Sequence, residues 1–170
     1  SLTIEKTGTL TVGGNFSNSG TVTLNSDANE FATIKVGGSA TGNITYNRWV
    51  NAIGTNEWDL IGSPVDGLSI SSFASTNSSP LATGGGSGGN QYAIGYYDNS
   101  ADDWTNYTTA TIGSAGNFDI GKGYQMATDS GATMTFTGAI ATSDQTESII
   151  NNHGNGSGQR WNLVANPYPS

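Results

Sequence analysis

Leu10-Thr11-Val12-Gly13-Gly14 returns 24 residues later as Ile34-Lys35-Val36-Gly37-Gly38, and Val22-Thr23-Leu24-Asn25 returns 22 residues later as Ile44-Thr45-Tyr46-Asn47. Each unit reads as a short alternating run, a glycine turn and a second short alternating run. Alternation with period two marks a strand with one buried face. A repeat of about 20 residues is too small to bury that face alone and needs neighbours stacked on it. For residues 1–47 this predicts a short β-solenoid or a meandering sheet, with two ordinary hairpins of similar turns as the plainer alternative. Leu2 and Ile4 read as the tail of an earlier unit.

Past Arg48-Trp49-Val50 the repeat stops and aromatic residues become denser. Residues 48–170 are expected to form an antiparallel β-sandwich of short strands. The candidates are 45–52, 57–61, 92–97, 105–107, 123–127, 133–137, 147–151 and 161–165. Asp98-Asn99-Ser100, Gly121-Lys122-Gly123, Ser130-Gly131 and Gly154-Asn155-Gly156 supply the turns. Ser75–Asn90, with its run Gly84-Gly85-Gly86-Ser87-Gly88-Gly89, reads as a flexible surface loop, and a helical turn is expected around Leu68–Phe73. The run is no phosphate cradle, because it lacks the preceding strand, the following helix and the lysine of a P-loop. The fold class expected is all-β, with β-solenoid-like or meander repeats in 1–47 and a sandwich in 48–170 that continues beyond the last residue.

Composition agrees. The 170 residues include 25 glycines but only 11% charged residues, and the polar bulk is Thr, Ser, Asn and Gly. Those types suit turns and the wet face of strands and disfavour long helices. Net charge is −8, so a nucleic-acid backbone or an anionic membrane surface would be repelled. No run of about 18 apolar residues is present to cross a membrane as a helix. With no cysteine, disulfides, thiolate catalysis and cysteine metal sites are excluded.

Trp58-Asp59-Leu60-Ile61-Gly62-Ser63-Pro64 is echoed by Trp161-Asn162-Leu163-Val164-Ala165-Asn166-Pro167, and both read as buried-type strands ending at a proline turn. With Gly121-Lys122-Gly123-Tyr124, Thr135-Phe136-Thr137-Gly138 and the closing Tyr168-Pro169-Ser170, the order and spacing over residues 45–170 resemble modules of large secreted and cell-surface proteins of the Bacteroidota. Ala165 stands where that signature has glycine, which questions a left-handed backbone there. The resemblance implies export by type IX secretion, display on the outer surface, and an adhesin-like or scaffold role. It implies no enzymatic activity, and it casts the chain as a module of a larger protein.

Few residues offer chemistry. His153, the only histidine, lies in the turn Asn151–Gly156. Glu57, Asp59, Asp66, Asp102, Asp103 and Asp119 are acids, but nothing in the sequence pairs two of them at the separation glycoside hydrolysis requires. No catalytic residue is assigned and the chain is read as no enzyme. Asp98, Ser100, Asp102 and Asp103 alternate oxygens as a calcium loop would, without the glycine and glutamate of an EF-hand. The plainer reading is a polar hairpin turn. Tyr97, Trp104, Tyr107 and Trp49 are candidates to stack on sugar rings, set against ordinary core packing. No cofactor is expected, with calcium the one candidate ion. The partners expected are neighbouring modules of the same chain, the secretion machinery in transit, and a glycan or cell-surface ligand. Adhesion and display is the first functional reading, and a carbohydrate-binding module is the second. Joint exposure of Tyr97 and Trp104 would favour the second.

Overall fold

The computed structural model of the chain describes residues 1–55, 58–86, 89–151 and 161–169. The amino-terminal repeat winds as a β-coil. Strands β1 (Leu2–Ile4), β2 (Thr9–Val12) and β3 (Phe16–Ser17) are followed by β4 (Val22–Leu24), β5 (Thr33–Val36) and β6 (Ala40–Thr41), and the chain then enters β7 (Asn43–Val50). β4 pairs in parallel with both β1 and β7, β2 with β5, and β3 with β6. Hairpins would pair antiparallel, so this is stacking. The ladders set Leu10 beside Ile34 and Leu24 beside Tyr46, the offsets of the sequence repeat. Each turn carries three strands rather than the two expected, because Phe16–Ser17 and Ala40–Thr41 are too short to show alternation.

Leu24, Ile34, Ile44 and Tyr46 are buried in the coil. Polar positions stack with the same offsets. The Thr33 hydroxyl donates to Thr9 at 2.9 Å, and the Asn47 amide donates to Asn25 Oδ1 at 3.0 Å. Buried Tyr46 donates its hydroxyl to the Ala32 carbonyl at 3.0 Å, so the core carries no orphaned phenol there.

The boundary drawn at 47/48 falls inside β7. That strand closes the coil by pairing with β4 and pairs antiparallel along its whole length with β13 (Ala132–Ala139), giving the sheet order β1-β4-β7-β13. A second, five-stranded antiparallel sheet holds β8 (Asp59–Gly62), β9 (Thr83–Gly86), β10 (Gly89–Asp98), β11 (Asp103–Thr108) and β12 (Gly123–Met126). Its main order is β11-β10-β12-β8, with β9 paired to β10. The two larger sheets share one core, to which Met134 and Phe136 come from β13 and Ile94, Tyr124 and Met126 from the second sheet. Helix α1 (Ile70–Thr76) adds Phe73, whose ring meets Phe136 at 4.5 Å and Phe118 at 5.2 Å. The fold is all-β; among the described residues only this helix and short 3-10 turns depart from strand and loop, and no helix is long and apolar enough to cross a membrane.

Four expectations change. The turn near Leu68–Phe73 is the start of α1, capped by Ser69, whose hydroxyl accepts from the Ser72 amide at 3.1 Å. The loop 75–90 is the end of α1, a turn, the strand β9 and the start of β10, with residues 87–88 outside the described part. Leu81 and Ala82 are buried and anchor it, a pair too short to stand out beside so much glycine. Residues 147–151 form no strand, because the Asn162 side chain takes the place of a ladder: Ile150 donates to Asn162 Oδ1 at 2.8 Å and accepts from its amide at 2.9 Å. Residues 161–165 make only a single bridge, Val164 to Lys122. Glu57, His153 and Ser170 lie outside the described residues.

Candidate functional site

The β10–β11 hairpin places Tyr97 directly opposite Trp104 and Asp98 opposite Asp103. Side chains alternate along each strand. Tyr97 and Trp104 therefore share the outer face, and their rings meet edge to face at 5.5 Å. Tyr96 and Tyr107 take the other face, 5.7 Å apart, packed against the core. Burial pushes the Tyr107 phenol up to about 12. Trp49 lies on β7 in the other sheet, where its ring covers the Gly131 turn and its indole N–H reaches Asn51 at 3.4 Å. Of the four aromatic candidates, the structure brings together Tyr97 and Trp104 and leaves Tyr107 and Trp49 elsewhere.

The four oxygen candidates build the hairpin. Asp98 Oδ1 accepts from the Ser100 amide at 2.9 Å, the Ser100 hydroxyl at 2.6 Å and the Ala101 amide at 3.3 Å, the arrangement of an Asx turn. These bonds, led by the Ser100 hydroxyl, hold the Asp98 carboxyl below its usual range. Asp103 Oδ1 accepts from the Trp104 amide at 2.7 Å. Asp102 adopts φ +57°, a left-handed conformation that aspartate tolerates better than most residues, and its carboxylate accepts from the Tyr97 hydroxyl. That bond pushes the Tyr97 phenol up to about 12. Among the described residues, no group of three or more His, Asp or Glu is gathered as a metal site would gather them.

The residues missed by sequence reading come from 161–169, which lies as a strap across the outer face. Gly62 and Gly123 are direct partners across β8 and β12. Side-chain-free, they leave a flat notch. A β-carbon on Gly123 would lie 2.3 Å from Leu163, and one on Gly62 would lie 2.4 Å from the Ala165 β-carbon. The backbone then locks in: Gly123 donates to Leu163 at 2.9 Å and Ala165 donates to Gly121 at 2.7 Å. At one end the buried Asn99 amide donates to the Trp161 carbonyl at 2.6 Å, and at the other Ile34 of β5 donates to Pro169 at 2.8 Å. The strap thus ties the hairpin to the coil. Ala165 has no positive φ, so its difference from glycine carries no backbone strain; its methyl fills the space Gly62 leaves.

Against expectation, Trp161 is 71% exposed and Leu60 58% exposed. Leu60 faces outward because side chains alternate along β8, where Ile61 takes the core side beside Tyr124. With Tyr97, Trp104 and Leu163 these two line an open cleft of about 440 Å³, and Asp102 and Asn162 add polar groups. The sequence offers only a glycine inside each motif, Gly62 and Gly123, of the kind that marks close approach of another chain segment; their pairing across β8 and β12 is seen only in the fold.

No curated protein and no solved structure matches the chain. A family model described as "Domain of unknown function (DUF8693)" matches residues 1–170, and the chain belongs to that family.

Proposed function

We propose that this chain is a non-catalytic module of a larger protein exported by type IX secretion, that it works at the cell surface or outside the cell in adhesion and display, and that its contact surface is the outer cleft. The observation that carries this reading is the exposure of Trp104, Trp161 and Leu60 together on one face. Clustered large apolar groups left in water mark contact surfaces. They sit on a rigid frame, since Tyr97 and Trp104 project from paired strands and the strap is hydrogen-bonded at both ends. The coil, whose strands stack in parallel ladders, suits a stalk that holds the cleft away from its anchor. The motif resemblance supports export.

Labelling of intact producer cells with antibody to this chain tests the reading. Surface signal is expected, and it should disappear in a strain lacking the type IX translocon. Signal that stays inside wild-type cells overturns the proposal. Beads coated with the purified chain should adhere to the surface the producer colonises, and adhere less when they carry Trp104→Ala.

A further inference from the structure

We infer that the cleft between Trp104 and Trp161 is a carbohydrate site, built for a short neutral oligosaccharide; this rests on the contact-surface reading above and names its ligand class. Size comes first. A cleft of about 440 Å³ falls within the range of a few hundred Å³ in which small molecules bind. The lining comes second. The exposed Trp104 and Trp161 supply flat aromatic rings, half-buried Tyr97 packs edge to face with Trp104, and Leu60 and Leu163 add apolar lining. A sugar ring has one face of C–H groups that packs on the negative face of an aromatic ring, with hydroxyls around its edge. The Asp102 carboxylate, beside its bond from Tyr97, adds an acceptor to the lining, and Asn162 adds a polar wall whose amide already donates to the Ile150 carbonyl.

Charge decides between sugars. The carboxylate inside the cleft and a net charge of −8 oppose sialylated, sulfated or uronic glycans. A cationic guest would be drawn by the same charge, but the site is an open trough, not a cage of rings closed around a cation. Pre-organisation follows from the frame. Tyr97 is fixed by Asp102 and by the edge of Trp104, so few rotamers remain to be ordered on binding.

The experiment is a glycan array probed with the whole chain, followed by tryptophan-fluorescence titration of the neutral oligosaccharides that score. Binding to at least one neutral class is expected. Trp104→Ala and Trp161→Ala should each weaken it roughly tenfold, the scale of one lost stacking contact. Trp161 is so exposed that its removal leaves the fold intact, and Trp104→Phe, which keeps a ring, should recover most of the affinity. No neutral glycan above background overturns the inference, as do hits that both alanine variants leave unchanged, or hits confined to acidic glycans or basic peptides. Surface display and adhesion that persist without a glycan hit overturn the sugar and leave the adhesion reading standing. A glycan hit from a chain that never reaches the cell surface does the reverse.

Discussion

In Trp58–Pro64, residues 59–62 form β8 and pair with β12 at four successive positions. In its echo, Trp161–Pro167, one bridge at Val164 and backbone bonds to Gly121 and Gly123 hold the chain. Both carry tryptophan, leucine and a β-branched residue before proline. The first tryptophan packs partly against the core, and the second is 71% exposed. The difference lies in the partners. β8 pairs with β12 at four positions and β10 pairs with it at Gln125 and Met126, so the second copy is left with backbone bonds at Gly121 and Gly123 and no full ladder. An extended, apolar pattern sets a tendency, and the vacancies of the sheet decide where it goes.

The contrast between the tryptophans gives the largest expected effect. Trp58→Ala should lower unfolding free energy by about 2 to 3 kcal/mol, somewhat less than a fully buried aromatic would lose. Trp161→Ala should stay within about 0.5 kcal/mol of the parent, as exposed sites do. Denaturant titration of both variants reads this directly. Equal losses would mean that the strap's tryptophan is a core residue after all.

Next comes the notch. Gly62→Ala puts a methyl onto that of Ala165 and should cost about 1 to 3 kcal/mol as an overpacked contact. Adding Ala165→Gly should restore at least about 0.5 kcal/mol, the coupling expected of touching residues. Strict additivity in this double-mutant cycle would place the strap somewhere other than on Gly62.

These two tests separate what was legible from what was not. The coil was legible because its partners are its own repeats. Leu10 and Ile34, or Leu24 and Tyr46, announce their pairing by resemblance. Most sandwich strands showed through alternation and turn residues, although β10 and β13 run longer than their apolar centres suggested. Half of the cleft was legible, since Tyr97 and Trp104 flank an obvious turn. Strand parity could also have set Tyr107 aside, three residues from Trp104 and so on the opposite face. The strap was not legible. Trp161 looks like a core residue by type, and only a structure shows that Gly62 and Gly123 stand side by side beneath it. The loss of the expected strand at 147–151 has the same origin, because a single side chain, Asn162, caps Ile150 where a neighbouring strand was expected.

A smaller effect tests the tether of the strap. Asn99→Ala removes the donor to the Trp161 carbonyl and should cost about 1 to 2 kcal/mol, the range for losing one partner of a mostly buried hydrogen bond. Amide exchange at Ala165 should quicken, because the strap would be held at one end only. Unchanged exchange would show that the two bonds at Gly121 and Gly123 suffice to seat it.

The smallest effect asks whether the strap or the hairpin holds the floor of the cleft. Tyr97 and Tyr107 are both pushed up to about 12, the first chiefly by its bond to Asp102 and the second chiefly by burial. A raised phenol pKa means that the folded state favours the protonated form. This contribution to stability is complete below the ordinary tyrosine value of about 10 and is lost as pH rises through about 12. Asp102→Asn replaces the charged acceptor and should bring one phenol, Tyr97, back toward about 10 in an ultraviolet titration, with Tyr107 unmoved. Trp161→Ala should move neither, because Asp102 and Trp104, which fix Tyr97, both belong to the hairpin. If removing Trp161 lowers the Tyr97 phenol, the strap is part of the floor, and the two copies of the motif are more alike in function than their pairing suggests.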